Sequence, residues 1–184
     1  MPGPRFRLAD PGDADEIALV HARSWEAAYL GMLPHEVLTG LVAAQGADFW
    51  RRVLTSAQRA DAVAVAEFGD AVVGFVSFGP LRERIPGYRG EFYALYVLPE
   101  AQGCGIGTGL VARAARTLVR WRAIGAVVWV LEENRAARRF YERLDGIPLG
   151  TPKPLRYRGQ AYEAVREVGY GWPDLRRARW LVDN

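Results

Sequence analysis

The hydrophobic pattern in the middle of the chain changes from a strand period to a helical period across a glycine-rich segment. Residues from Phe92 to Leu98 are rich in aromatic and branched side chains, and Pro99 ends this run. Beyond the glycines, apolar side chains recur at helical spacing, at Leu110, Val111, Ala114, Leu118 and Trp121. The pattern predicts a strand, a loop and a helix, with the glycines at the helix N-terminus.

The rest of the pattern predicts a mixed α/β chain. Arg5 to Ala9 has the pattern of a short strand, and Asp10 followed by Pro11 is typical of a helix start. Further elements are predicted as helices over Pro34 to Ala44 and Ala47 to Leu54, a hairpin over Ala62 to Glu67 and Ala71 to Phe78, and strands over Ala126 to Leu131, Leu149 to Thr151 and Ala161 to Val168.

Length and composition indicate one domain over residues 1–184. The 184 residues are 50% hydrophobic, which suffices for one sizeable core. No apolar run has the roughly 18 residues of a membrane span, and the first residues lack the apolar core of a secretory signal. A cytoplasmic protein without membrane association is therefore expected. One cysteine excludes an internal disulfide, and two histidines leave little for a metal site.

Charge and loop chemistry favour a phosphate-bearing ligand. The net charge of +3 comes with arginines interspersed among acids, which argues against a nucleic-acid surface but suits an anionic cofactor. A helix N-terminus offers unpaired NH groups and a positive dipole end, and glycine lets an anion approach closely. The P-loop pattern fails because the chain's single lysine is Lys153. The dinucleotide pattern fails by one residue, so a dinucleotide-dependent oxidoreductase is disfavoured.

The pattern that fits is Q/R-x-x-G-x-G/A, as Gln102, Gly105 and Gly107. It resembles the signature with which the GNAT superfamily of acyl-CoA N-acyltransferases binds the CoA pyrophosphate. The later segment from Glu132 to Leu144 resembles the second motif of that family, in which an asparagine opens a short helix that ends with a Phe-Tyr pair. The N-terminal helix and the C-terminal tail are also similar to bacterial members, so the resemblance covers nearly the whole chain.

This resemblance implies a fold, a reaction and a set of ligand contacts. The fold is a mostly antiparallel central sheet with a splayed parallel strand pair, flanked by helices. The reaction is transfer of the acetyl group of acetyl-CoA to a primary amine by direct attack in a ternary complex, without a metal. The implied cofactor contacts are the backbone of Leu95, Tyr96 and Val97 for the pantetheine and thioester, that of Gln102, Gly103, Cys104, Gly105, Ile106, Gly107 and Thr108 for the pyrophosphate, and Asn134 for the pantetheine arm. The Leu95 NH would be the oxyanion donor.

Two side chains are candidates for proton transfer. An amine with a pKa of about 10 is mostly protonated at neutral pH, so a base must assist it. Glu91 is the candidate base because strand alternation places it on the same face as Leu95 and Val97, and because histone-type relatives carry a glutamate base there, although others use a water chain. Tyr141 is the candidate acid for the departing thiolate. A solvated strand start at Glu91 and a core aromatic at Tyr141 are the structural alternatives.

Four further points follow from the sequence. Cys104 stands where relatives usually carry a basic residue; no histidine is placed beside it, so covalent catalysis by the thiol is disfavoured. A non-catalytic acyl-CoA-binding or sensor domain is the alternative function. Trp172 and Trp180 near the C-terminus are compatible with a homodimer. The sequence does not identify the amine acceptor.

Overall fold

The computed structural model describes residues 3–29, 31–56, 61–157 and 159–182. Within these ranges the strands are β1 (Arg5–Leu8), β2 (Ala62–Phe68), β3 (Ala71–Pro80), β4 (Gly90–Val97), β5 (Ala126–Leu131), β6 (Ile147–Tyr157) and β7 (Gln160–Trp172). The α-helices are α1 (Ala14–Tyr29), α2 (His35–Ala44), α3 (Ala47–Thr55), α4 (Ile106–Arg120), α5 (Arg135–Arg143) and α6 (Arg179–Val182).

The seven strands form one sheet in the order β1-β2-β3-β4-β5-β7-β6. Neighbouring strands are antiparallel except β4 and β5, which are parallel and connected through α4. The predicted mixed α/β fold, with a mostly antiparallel sheet and one parallel pair, is confirmed.

The start of the first helix follows the predicted capping chemistry. The Asp10 carboxylate accepts a hydrogen bond of 2.8 Å from the Gly12 NH, and the Asp13 carboxylate accepts one of 2.8 Å from the Asp10 NH. Pro11 opens a short 3-10 turn, where its missing NH costs nothing. Arg7 of β1 donates two hydrogen bonds of 2.7 Å to Asp13, which ties this turn to the edge of the sheet.

Helices cover the two faces of the sheet differently. The side that we call the α4 face is packed by α4 and α5, with Leu110, Leu118 and Phe92 fully buried between the layers. The opposite side, the α1 face, is packed by α1 and α3 over strands β2 to β4. Burying each large apolar side chain contributes about 1.5–3 kcal/mol, so these two layers fix the position of β4 in the middle.

The last two strands are longer than predicted. The sequence predicted strands over Leu149 to Thr151 and Ala161 to Val168, whereas β6 and β7 extend well beyond these bounds, and β6 includes the prolines at 148, 152 and 154. Strand β6 lies at the edge of the sheet, where proline removes no ladder hydrogen bond, and its register with β7 shifts at two places.

Three tryptophans lie elsewhere than the sequence suggested. Trp121, expected on the inner face of α4, lies just after its last residue, is 48% exposed and stacks on Phe78. Trp172 and Trp180 are buried, and both indole NH groups donate to the Leu144 carbonyl, at 2.7 and 2.8 Å. A homodimer stays a prediction, but the two tryptophans that favoured it lie in the core of the chain.

Candidate active site

The parallel pair of strands separates halfway along its length. Pairing between β4 and β5 comprises Gly90 with Ala126, Glu91 with Val127 and Phe92 with Val128. Both strands continue beyond this point, but no further residues are paired. Residues 93–97 of β4 are therefore only partly buried, although β4 is a central strand. A gap between two central strands exposes backbone groups that a bound ligand can satisfy.

The separation begins at a β-bulge in β4. Ala94 lies opposite Ser77 of β3, whereas Phe92 lies opposite the next residue of β3, Phe78. Tyr93 is thus an additional residue without its own partner. A bulge bends and twists the strand that carries it, which accounts for the divergence of β4 from β5 immediately after Phe92.

The bulge also inverts the alternation of side chains along β4. Phe92 and Leu95 both pack on the α4 face, although they are three residues apart. Glu91 lies on the opposite face, with Tyr96. The prediction that Glu91 shares a face with Leu95 and Val97 is wrong, because simple alternation assumes a strand without an extra residue.

The backbone of Leu95 faces the gap. The Leu98 NH donates to the Val73 carbonyl of β3 at 2.9 Å. Because alternate residues of a strand direct their backbone groups to the same side, those of Leu95 and Val97 point away from β3 and towards β5. The Val97 carbonyl accepts a hydrogen bond of 3.0 Å from the Gln102 side chain. Gln102 thereby braces the glycine-rich loop against the strand.

The glycine-rich loop ends at the N-terminus of α4, as the sequence predicted. Gly103 and Gly105 have φ angles of +78° and +77°, a region that favours glycine. Gly105 is the N-cap and provides no side-chain cap, and the Gly109 NH makes a main-chain hydrogen bond of 3.0 Å to the Gly105 carbonyl. The NH groups of Ile106, Gly107 and Thr108 precede that bond and are available to an anion.

The other two glycines of this segment serve packing. A Cβ at Gly107 would lie 3.2 Å from the Phe140 ring of α5, and a Cβ at Gly109 would lie 2.2 Å from the Phe6 ring of β1. Cys104 is exposed, and its Sγ lies 3.7 Å from the Gln102 carbonyl.

Asn134 is the N-cap of α5. Its side-chain oxygen accepts a hydrogen bond of 3.0 Å from the Ala137 NH and so caps the short helix that the sequence places after this asparagine. The cap uses the amide oxygen and leaves the two NH donors of the side chain for another partner. Contact with a pantetheine arm stays a prediction.

Glu91 is buried and bound by one residue, Arg82, of the loop between β3 and β4. The Arg82 backbone NH donates to one carboxylate oxygen at 3.0 Å, and the guanidinium donates to the other, with Nε at 3.0 Å. Arg82 also lies 4.6 Å from the centre of the Tyr93 ring. Both oxygens of Glu91 are therefore engaged, and the ion pair fastens this loop to the start of β4.

Tyr141 belongs to a group of three tyrosines that we call the hydroxyl cluster: Tyr29, Tyr96 and Tyr141. Tyr141 is 4% exposed and its ring packs on Tyr170 and Trp172. Its hydroxyl has no hydrogen-bond partner in the part of the chain that the structure describes. Burial raises the pKa of Tyr141, and so does the nearby Tyr29 hydroxyl, so the group keeps its proton. The Tyr29 and Tyr96 hydroxyls lie 3.3 Å apart.

The sequence did not indicate the side chains of Tyr29 and Arg82 as part of the site. Helical spacing places Tyr29 on the same face of α1 as Trp25, and the two rings pack together with their centres 4.4 Å apart. Its hydroxyl nevertheless reaches β4, which helical spacing alone does not reveal. The arginine-rich loop 81–89 beside an acidic strand start was the available signal for the ion pair.

Comparisons with known proteins agree with this geometry. A family model described as the acetyltransferase (GNAT) family matches residues 24–146. The chain is 34% identical over 182 residues, covering 97% of this chain and 98% of the relative, to an uncharacterized N-acetyltransferase, YuaI, of Bacillus subtilis. PaiA N-acetyltransferase from Thermoplasma acidophilum, solved in complex with coenzyme A, has a similar fold with a TM-score of 0.70 and 17% identity, covering 93% of this chain and all of that one. YncA, a putative acetyltransferase from Salmonella typhimurium solved with acetyl-CoA, also has a similar fold, with a TM-score of 0.65 and 21% identity, covering 95% of each chain.

Proposed function

The chain belongs to the GNAT family of acetyltransferases, and on this premise we propose that it transfers the acetyl group of acetyl-CoA to a primary amine within a ternary complex. The observation that carries the proposal is the gap between β4 and β5, which lies next to the N-terminus of α4. The relative from Bacillus subtilis is named as an N-acetyltransferase, and two structural neighbours hold coenzyme A or acetyl-CoA.

The residues around the gap fit the parts of acetyl-CoA. The backbone of residues 102–108 would hold the pyrophosphate, because its positive-φ glycines and unpaired helix NH groups suit an anion. Leu95 and Val97 direct backbone groups into the gap and would hold the pantetheine, with Asn134 on its other side. Relatives usually carry a basic residue at the position of Cys104, which adds no charge. More of the attraction for the pyrophosphate would therefore come from the backbone NH groups.

Acetyl-CoA would supply an acyl group that is already activated as a thioester. The Leu95 NH would donate to the carbonyl oxygen as negative charge develops on it, a role that is worth several kcal/mol in comparable sites. Tyr141 would give its proton to the sulfur as the carbon–sulfur bond breaks. Its raised pKa keeps it in the protonated form that this role requires.

A base must remove a proton from the acceptor amine. Glu91 remains a candidate, and its buried ion pair with Arg82 sets a condition on that role. Arg82 would have to release a carboxylate oxygen before Glu91 could accept a proton. A water chain that reaches the amine through the hydroxyl cluster is the other route.

The test is release of free thiol from acetyl-CoA in the presence of amines. We expect wild-type protein to release thiol with at least one member of a panel of alkyl amines, amino acids, aminoglycosides and peptide N-termini. Acetylated product identified by mass spectrometry confirms transfer. Tight CoA binding without turnover on the whole panel would favour the sensor domain, and competition by NAD(P) would favour a dinucleotide enzyme.

The location of the protein stays a prediction. No helix in the described parts of the chain is both long enough and apolar enough to cross a membrane. The described residues also contain no group of three or more metal-binding side chains.

A further inference from the structure

Strand β7 carries a carboxylate, Glu167, on the α1 face beside the gap. Glu167 lies opposite Leu131 of β5 and opposite Lys153 of β6. Glu91 is paired with Val127, and Leu131 lies four residues further along the same regular strand. Because residues opposite each other and residues two apart share a face, Glu91 and Glu167 lie on the same side of the sheet.

Among the residues that the structure describes, Glu167 has no bound partner, unlike the nearby acids Glu91 and Glu83. Glu91 is held by Arg82, and Glu83 accepts a hydrogen bond of 2.6 Å from the Lys153 ammonium group. Lys153 also lies 3.7 Å from the centre of the Trp129 ring. In the ranges that the structure describes, Glu167 makes no side-chain hydrogen bond or ion pair, although it is half-buried. A half-buried carboxylate without a partner is costly unless a ligand supplies one.

Groups from several elements act on Glu167. Burial raises the pKa of Glu167, and the charged groups that face it are Lys153 of β6, Arg82 and Glu83 of the loop before β4, and Glu91 of β4. The two cations lower its pKa, and the two acids raise it. The charge of Glu167 also raises the pKa of Tyr29, which lies at the end of α1. Since Tyr29 belongs to the hydroxyl cluster, Glu167 acts electrostatically on that cluster.

We propose that Glu167 binds the ammonium form of the acceptor and removes one proton from it before attack. The inference rests on the proposed acetyl transfer and assigns the base of that reaction. The ammonium group would give Glu167 the charge-assisted hydrogen bond that the protein does not provide. An acid that is half-buried and unpaired accepts a proton more readily than one held by an arginine.

The protons balance across the reaction. The ammonium group gives one proton to the Glu167 carboxylate, and the nitrogen lone pair then forms the carbon–nitrogen bond. As the carbon–sulfur bond breaks, Tyr141 protonates the sulfur, and the second proton lost by the nitrogen restores the Tyr141 hydroxyl. Glu167 returns its proton to water, so that one proton is released for each amide formed.

The experiment compares two amines of the same size. Ethylamine is protonated at neutral pH, whereas 2,2,2-trifluoroethylamine is largely neutral and needs no base for its first proton. Glu167→Gln should lower kcat/KM for ethylamine on the order of 100- to 10,000-fold, but for trifluoroethylamine by less than about tenfold. The low-pH limb of the wild-type ethylamine profile should disappear in the variant.

Two further variants, Glu163→Gln and Glu91→Gln, separate the outcomes. Glu163→Gln changes an exposed acid on the same strand and should behave as wild type. An equal loss for both amines in Glu167→Gln, or an amine-dependent loss in Glu91→Gln instead, would overturn the assignment. Absence of wild-type turnover with every amine would instead contradict the proposed function itself.

A measurement without turnover tests the same point. Carbon-13 NMR of glutamate carboxyl groups identifies Glu167 by the signal that Glu167→Gln lacks. Following this signal against pH gives the pKa of Glu167. In the CoA complex, ethylammonium chloride should lower that pKa, whereas an equal concentration of sodium chloride should not. If ethylammonium leaves the pKa of Glu167 unchanged, the binding role is refuted.

Discussion

At the scale of the residue, Tyr141 keeps its proton because ionisation would place a charge in an apolar environment. Its neighbours are the aromatic rings of Phe140, Tyr170 and Trp172, and the described residues supply no hydrogen-bond donor to a phenolate. Such a group is a weak acid in the free enzyme. The proposed acid role therefore requires the thiolate to develop beside the hydroxyl, so that proton transfer accompanies cleavage of the carbon–sulfur bond.

Tyr141→Phe removes this proton and keeps the packing of the ring. We expect kcat to fall on the order of 10- to 1,000-fold, with little change in CoA affinity. Steady-state kinetics and calorimetric CoA titration measure the two quantities separately. Tyr162→Phe, a change on β7 away from the cluster, is the matched control. A wild-type kcat in Tyr141→Phe would reduce Tyr141 to a structural role.

His21 gives stability a predictable dependence on pH. It is 2% exposed, lies between the rings of Trp25, Trp50 and Tyr96, and its Nδ1 has no hydrogen-bond partner in the described structure. Burial lowers the pKa of His21 to about 4. The folded protein therefore keeps this ring neutral at pH values where the unfolded chain, with a pKa near 6.5, protonates it.

The free energy of unfolding should consequently fall as the pH drops from 6.5 towards 4. Between pH 7 and pH 5 this one group should account for about 2 kcal/mol. His21→Phe removes the proton site and should flatten the dependence by that amount. Urea denaturation of both proteins at pH 7 and pH 5 measures the change in the free energy of unfolding. An equal change in the two proteins would mean that His21 is protonated in the folded state.

At the scale of the element, the loop and helix at Gly105 were predictable, whereas the geometry of β4 was not. Glycine spacing, the cap at Asp10 and the cap at Asn134 depend on residues within one turn of each other, so local sequence determines them. The bulge at Tyr93 depends on the register of β4 against β3, and the surroundings of Glu167 come from three separate segments. These features arise from contacts between distant parts of the chain, which periodicity does not encode.

Gly105→Glu should abolish stabilisation by CoA. The substitution places a side chain at positive φ, which costs about 1–2 kcal/mol, and brings negative charge to the expected pyrophosphate position. Gly69→Glu at the tip of the β2–β3 hairpin introduces the same residue at a φ of +64° outside the loop. Both variants should have a lower Tm, but only the hairpin variant should show the wild-type increase in Tm with CoA.

At the scale of the whole molecule, the gap separates two groups of strands. One group contains β1 to β4 and the other contains β5, β7 and β6. Three residue pairs of β4 and β5 join the two groups, and α4 packs on the α4 face of the sheet. Amide hydrogen exchange should report on this junction. CoA binding should slow exchange of the Leu95 and Val97 amides, whereas that of Val65 in β2 should stay the same. Unchanged exchange at Leu95 would place the ligand elsewhere.

The short junction between the two groups of strands also bears on how the protein unfolds. A sheet held in the middle by so few main-chain hydrogen bonds has a weak point, and local unfolding tends to follow such points. Without ligand, the half that contains β5 to β7 can lose its order before the half that contains β1 to β4. We expect CoA bound across the gap to couple the two halves, so that they unfold as one unit and the cosubstrate influences the cooperativity of the fold as well as its chemistry.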